Sequence, residues 1–457
     1  MHDDALRALV GAMCVAATLA ASGTASAQPA EQPQFHAPAV SDAMLAPPPG
    51  APAQVKSWDD ALALLRAHSP DYISSYETVI RAEAQSRAAL AAILPTLNAQ
   101  GAYVHQFFTE TIPFGGASFV SPPRDVLSAG ATLQWSVLNP RAFYAIGTAH
   151  EIERATALSF EDKRRAIALT VVSAMLSTLA TSRVAELNRV GLRSALERLT
   201  LTQTRLQFGQ GTPLDVDRAQ QDVAAARAQL ISGDEALLQS REALGAALGS
   251  TTPVAAPGDL SLDQFEAAVA RTCHLNEDIE RRPDVAAARL RAEIAERGVH
   301  DAELIFSPSV SVGSTLQTAT VATLAPLTTW NVQAVLSVPL YDGGVRYAAL
   351  KDSRAALEQA RQALVTARVG AVVSATQAHR SVAVYEASRQ VAQEQRDLAA
   401  RIDQRTRDGY ARGAGTSLDL VISAQSLRQS EINLVLLEVQ VGEARAGAVL
   451  ANAECVY

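Results

Sequence analysis

The chain of 457 residues is 48% hydrophobic but only 5% aromatic, which is thin for the large packed cores of two or three ordinary globular domains. Its formal net charge is −8 without any basic stripe or cluster, which argues against a nucleic-acid partner. The histidines of the chain after its first 27 residues, at 36, 68, 105, 150, 274, 300 and 379, are scattered, and no HExxH, GxSxG, Walker or Rossmann run occurs. No catalytic, cofactor-binding or metal-binding residues are therefore assigned.

The N-terminus reads as a secretory signal peptide over residues 1–27. Ala8 to Ala20 is largely apolar and too short to span a bilayer, and Ala25-Ser26-Ala27 is a small-residue cleavage site. Asp3 and Asp4 make a poor leading region, with Arg7 its one base, and a buried N-terminal helix is the alternative. Cys14 after Gly-Ala-Met is a weak lipoprotein box, and no lipid anchor is expected. Residues 28–56 are rich in Pro and Ala, including Pro47-Pro48-Pro49-Gly50, and read as a flexible, extended segment. Elsewhere no run of about 18 apolar residues occurs, so no transmembrane helix is expected; β-barrel strands, whose signal is weaker, stay open.

A first repeat is expected over 57–250. Ser57 caps a helix carrying Trp58, Ala61 and Leu65; Pro70 interrupts it and a second helix runs to about Leu94. From Pro95 the period changes. Strands are expected over about 95–110 and 126–139, where Leu127, Ala129, Ala131, Leu133, Trp135 and Val137 alternate with small or polar residues. The intervening Pro113, Gly115, Gly116, Pro122 and Pro123 read as a long loop. Tyr103, Phe107, Phe108, Trp135, Trp330 and Tyr341 lie along or beside the strands of the two repeats, as an interfacial aromatic girdle requires. A helix over about 141–207 follows with no internal proline, a rod of roughly 100 Å at about 1.5 Å per residue. The turn Gly209-Gln210-Gly211-Thr212-Pro213-Leu214-Asp215 ends it: glycine supplies a left-handed cap and Thr212 can cap the returning helix, 213–248.

After a connector over 251–282, residues 283–457 repeat the scheme. Strands are expected over about 308–318 and 329–341, and helices over 344–411 and 417–452. The turn returns as Gly413-Ala414-Gly415-Thr416-Ser417-Leu418-Asp419, 204 residues after its first copy. Both returning helices carry a heptad in matching register: Val223, Leu230, Leu237 and Leu244, then Leu427, Leu434, Val441 and Ala448. That spacing asks for a coiled-coil partner, and the preceding rod is at hand. Cys273, in the connector, and Cys455, near the C-terminus, follow the last helices of their copies. They read as a disulfide in an oxidising compartment or as two separate thiols.

Several motifs carry a resemblance across nearly the whole chain after residue 27. Arg282-Pro283-Asp284-Val285 looks like the opening of a second repeat, and Val338-Pro339-Leu340-Tyr341-Asp342-Gly343-Gly344 like a strand-to-helix junction. With the two G-x-G-T-x-L-D turns, in this order on a duplicated chain, they resemble the TolC family of outer-membrane efflux and secretion ducts. The resemblance implies a mixed α/β membrane protein, mostly α, with a duplicated helix–strand–strand–long helix–helix repeat. It implies a homotrimer whose β-barrel sits in outer-membrane lipid and continues into a periplasmic α-helical barrel. It also implies a periplasmic adaptor (membrane fusion) protein and an inner-membrane transporter as partners, and no enzymatic role. Carried over by residue, Gly209, Gly211, Thr212, Asp215, Gly413, Gly415, Thr416 and Asp419 are periplasmic tip turns and adaptor contacts, with Tyr410 and Asp419 as candidate gate. Ile422 departs from the family's second acidic ring. Aspartates at these positions also complement helix dipoles, a structural role that would serve both copies equally. A soluble periplasmic coiled-coil adaptor or structural protein is the rival reading; it explains the heptads but not two repeated strand pairs.

Overall fold

The computed structural model describes residues 39–457 apart from 115–116, 122–124, 259–260, 276–277, 321–326, 452 and 456–457. The expected signal peptide, and residues 28–38 of the segment read as flexible, lie outside the described residues. Residues 40–457 group as one compact unit.

In chain order, a short strand β1 (Ala53–Gln54) leads to helices α1 (Trp58–His68) and α2 (Pro70–Ala91). Four strands follow: β2 (Thr96–His105), β3 (Glu110–Phe114), β4 (Ala117–Ser121) and β5 (Asp125–Leu138). Rod α3 (Pro140–Gln207) and returning helix α4 (Pro213–Ala247) close the first repeat. The connector holds β6 (Val254–Ala255), α5 (Leu262–Thr272) and β7 (Cys273–Leu275). The second repeat runs through α6 (Pro283–Leu304), β8 (Ser309–Ala319), β9 (Thr328–Ser337), α7 (Val345–Ala411), α8 (Ser417–Ala451) and β10 (Ala453–Cys455).

The rods begin and end where local chemistry dictates. Pro140 sits in the first turn of α3, where its missing N–H costs nothing, and Asn139 Oδ1 accepts from Ala142 N at 3.2 Å. Before α7, Gly343 and Gly344 take positive φ of 71° and 95°, and Asp342 accepts from the N–H groups of Gly344 and Arg346.

The antiparallel sheet has the strand order β2-β5-β8-β9. Its register sorts the side chains cleanly. One face carries Leu97, Tyr103, Leu127, Leu133, Trp135, Val312, Leu316, Trp330, Val332 and Leu336; the other carries Asn98, Gln100, Thr132, Gln134, Thr315, Gln317, Asn331 and Gln333. The apolar face is uncovered, with Trp330 75% exposed. No soluble sheet of this size leaves such a face in water.

Helix packing continues the strand order. α3 lies against α2, α4, α6 and α8, and α7 against α6 and α8. The main core sits at the waist of this wall. Trp58, Leu62 and Leu65 of α1, Val171, Met175 and Leu176 of α3, Leu244 of α4, Phe265 and Val269 of α5 and Leu450 of α8 pack there. The Trp58 ring meets Phe265 edge-on at 5.6 Å, and its indole N–H donates to Thr272 Oγ1. The α4 seam is buried along its length, whereas Leu427 and Leu434 of α8 are only half-buried. Gly233 explains part of the tight fit: a Cβ there would stand 2.6 Å from Asn188 Nδ2.

The structure corrects five expectations. Residues 39–56 are not a loose leader: Val55 is buried, Ala53–Gln54 pairs with Val254–Ala255, and Arg227 grips Asp42. Their few apolar side chains, Met44, Leu45 and Val55, outweigh the surrounding prolines. The first long strand stops at His105 rather than near 110, and the segment read as loop contains the hairpin β3–β4. Gly115-Gly116 between strands of five residues each is a two-residue hairpin signal that the flanking prolines obscured. β9 ends at Ser337 rather than Tyr341, because Pro339 offers no N–H and the Arg346 guanidinium takes its carbonyl at 2.8 Å. Finally, one window of 18 residues in α3 is long and apolar enough to cross a membrane, but half of it is buried inside the protein.

Candidate functional site at the paired helix turns

Both rods end in the same hydrogen-bonded device. Gly209 adopts φ 70°, its N–H donates to Leu206 O, and Gln210 N donates to Arg205 O at 2.9 Å. Gly413 adopts φ 80°, its N–H donates to Tyr410 O, and Ala414 N donates to Gly409 O at 2.9 Å. These are Schellman turns, in which the left-handed position favours glycine. Gly211 and Gly415 fit for a different reason: a Cβ on either would stand a tight 3.3 Å from the backbone N of Leu206 or Tyr410.

The returning helices start with reciprocal caps. Thr212 Oγ1 accepts from Asp215 N at 3.3 Å while Asp215 Oδ2 accepts from Thr212 N at 3.0 Å. Thr416 and Asp419 repeat the pattern at 3.2 Å in both directions. The threonine hydroxyls also donate to the same carboxylates, at 2.8 and 2.7 Å.

Two contacts join the turns, and the sequence did not reveal either. The Ser417 hydroxyl donates to Asp215 Oδ1. The Arg205 guanidinium lies 4.5 Å from the centre of the Tyr410 ring and donates to Tyr410 O at 3.0 Å. Tyr410 is thereby only 7% exposed. Asp419 is brought to its own cap and not to Asp215. Ser417 holds the Asp215 carboxyl below the usual carboxylate range, against the opposing effect of burial, with Thr212 adding to it. Thr416 holds Asp419 below that range in the same way.

A second polar layer backs the turns. Arg198 pairs with buried Asp222 at 2.5 Å, and Gln425 Nε2 donates to the other oxygen of that carboxylate at 3.1 Å. Asp403, also buried, accepts from Ser423 Oγ at 3.0 Å and pairs with Arg407. The layer thus ties α3, α4, α7 and α8 above the turns. Arg205 and Ser417 could have been suspected from one signal only: they stand where the other copy has Gly409 and Pro213. At the waist, Cys273 is disulfide-bonded, and the strand register sets Cys455 opposite it. Among the described residues, no group of three or more His, Cys, Asp or Glu could hold a metal ion.

Comparison with known proteins bears on the whole arrangement. The family model described as "Outer membrane efflux protein" matches residues 61–250 and 275–448. The chain is 27% identical over 324 residues to the fusaric acid resistance protein FusA of Burkholderia cepacia, covering 66% of this chain and 58% of that protein. It is 25% identical over 284 residues to the probable efflux pump outer membrane protein TtgC of Pseudomonas putida, covering 59% and 57%. The matches thus span less than two thirds of the length of these curated relatives. Among solved structures, CusC superposes with a TM-score of 0.74 at 18% identity, covering 92% of this chain and 98% of that one. The outer membrane protein VceC of Vibrio cholerae superposes with a TM-score of 0.69 at 18% identity, covering 86% and 96%.

Proposed function

The chain belongs to the outer membrane efflux protein family, and we propose that three copies of it close into a duct that passes substrates from the periplasm to the outside. The family places it in the outer membrane. In this reading, a barrel of about twelve strands spans the lipid and the rods form the periplasmic tunnel. An inner-membrane transporter and a periplasmic adaptor deliver the cargo, the adaptor meeting the turns at Gly209–Asp215 and Gly413–Asp419. The duct itself catalyses nothing. The soluble adaptor reading is set aside by the family match and by the uncovered apolar face of the sheet.

One observation carries the assembly: the same two edges run through the whole unit. β2 and β9 are the open edges of the sheet; α2 and α7 are the outer helices beside it, and α4 and α7 are the outer helices on the turn side of the waist. Beside the sheet both outer helices carry exposed apolar stripes at helical spacing, Ile73, Tyr76 and Ile80 on α2 and Val365, Val369 and Val372 on α7. Open edges cannot persist in lipid, so the β9–α7 edge of one copy must meet the β2–α2 edge of the next. Such a head-to-tail contact closes only as a ring.

At the turns, the Arg205–Tyr410 and Ser417–Asp215 contacts hold the two hairpins together and keep the tunnel entrance narrow, with Asp419 lining it. The Cys273–Cys455 pair forms the disulfide that fixes the C-terminus to the waist; mass spectrometry of a non-reducing digest should show the linked peptides, and free thiols at both positions would remove it. The duct is tested in planar bilayers. Purified protein should form long-lived, cation-blockable pores, and Asp419→Ala should weaken the block. Pores with unchanged block and conductance in that variant would remove Asp419 from the entrance.

A further inference from the structure

The polar face of the sheet has a chemistry of its own. In the duct the apolar face meets lipid, so the bore is lined by the other one. Its positions are the even-numbered residues of β2, those of β5 as far as Ser136, and the odd-numbered residues of β8 and β9. Every one of them is uncharged. Six are amides: Asn98, Gln100, Gln134, Gln317, Asn331 and Gln333. The others are serine, threonine, glycine, alanine or valine.

The glutamines are set against glycines. Gly130 stands directly opposite Gln317, and Gly313 opposite Gln333. A Cβ on Gly313 would meet Gln333 Cγ and Nε2 at 3.6 Å, and one on Gly130 would meet Gln317 Cγ at 3.9 Å. Gln333 therefore lies across the bare backbone of its partner strand, and Gln317 leans the same way, so these side chains follow the wall. An amide carries two N–H donors and a carbonyl acceptor. It solvates an anion through the first and a cation through the second, which a carboxylate or a guanidinium cannot do. A single charged residue here would place three like charges round one ring of a trimer, the arrangement by which pores select ions.

The charges nearest this face sit at the two ends of the sheet. Toward the rods, Arg141 pairs with Asp301 at 3.0 Å and Arg346 with Asp342 at 2.8 Å. At the other end Asp125 meets His105 Nδ1 at 2.6 Å and accepts from the Tyr103 hydroxyl at 2.7 Å, and all three residues stand on the lipid-facing side of the register. The turns are far away. The 67 residues of α7 put Asp419 about 100 Å from the sheet at about 1.5 Å per residue, roughly ten screening lengths at about 0.1 M salt. The field of the turns does not reach the barrel.

We propose that the barrel is a charge-indifferent exit: its amide and hydroxyl wall passes anionic, cationic and neutral polar solutes alike, and any charge preference of the duct is set in the rods and turns. The proposal rests on the duct reading, which puts this face on the bore.

Thr132→Cys places a thiol on the wall, opposite Thr315. The full-length variant, recorded in planar bilayers, is treated from the β3–β4 side with 2-(trimethylammonium)ethyl methanethiosulfonate or with its anionic 2-sulfonatoethyl analogue. The unaltered protein supplies the baseline for its native cysteines. The rate at which each reagent changes conductance, divided by its rate with 2-mercaptoethanol, reports the local potential. The two normalised rates should agree within about threefold. Gln317→Glu added to the variant should favour the cationic reagent by more than that. A larger preference for either sign without the added carboxylate, rates indifferent to Gln317→Glu, or pores that neither reagent alters would overturn the proposal. The duct reading fails separately, by the absence of pores from the unaltered protein; pores with biased rates keep the duct and remove the neutral exit.

Discussion

At the scale of single residues, the turns divide into what each copy does alone and what joins the copies. The Schellman glycines and the Thr–Asp caps act within a few residues, so a seven-residue motif was enough to read them. The Arg205–Tyr410 contact spans 205 positions and exists only because the rods lie side by side, which no local pattern records. Tyr410 was expected as a gate residue; its ring lies against the Arg205 guanidinium, and in the proposed duct this contact ties the two hairpins together. An Arg–ring contact of this kind is worth about 0.5–2 kcal/mol, enough to shift the closed population several-fold in each protomer. Arg205→Ala should therefore raise mean single-channel conductance or open probability, and recordings indistinguishable from wild type would count against the tie. The aspartates add a pH dependence. Asp215 has a folded-state pKa below its unfolded value, held there first by Ser417, so its contribution is present above the ordinary aspartate pKa of about 3.9 and is lost as pH falls through the lower folded value. Hydrogen exchange at residues 205–216 should be faster in Asp215→Asn than in wild type at pH 7, with the difference shrinking towards pH 3.

At the scale of elements, the long helices and most strand edges were legible because period and proline placement are one-dimensional signals. What was missed depended on partners. The β3–β4 hairpin hid behind its prolines, and residues 39–56 are ordered by a groove that their own composition does not mention. The two heptads look alike in sequence but differ in burial, since α4 closes entirely against its own chain and α8 does not. The difference can be measured. Leu230 is 1% exposed, and Leu230→Ala should cost about 2–5 kcal/mol in denaturant unfolding. Leu434→Ala should cost clearly less in protein held as a monomer; equal losses would mean that the seams are equivalent. Gly413→Ala tests the turn in the same assay and should cost roughly 1–2 kcal/mol through its left-handed backbone alone.

At the scale of the whole molecule, apolar surface decides the arrangement. The sheet shows an uncovered apolar face, and two apolar stripes run down opposite edges of the helical wall. In the proposed duct, lipid satisfies the face and further copies satisfy the edges. Duplication is what makes this workable: each repeat supplies half of the sheet and one rod pair, and the second repeat offers the edge that the first accepts. The most direct test is native mass spectrometry of the full-length protein released from mild detergent. Three chains per particle are expected, with dissociation into monomers when the α7 stripe carries Val369→Glu. Stable monomers as the sole species of the unaltered protein would contradict the closed duct.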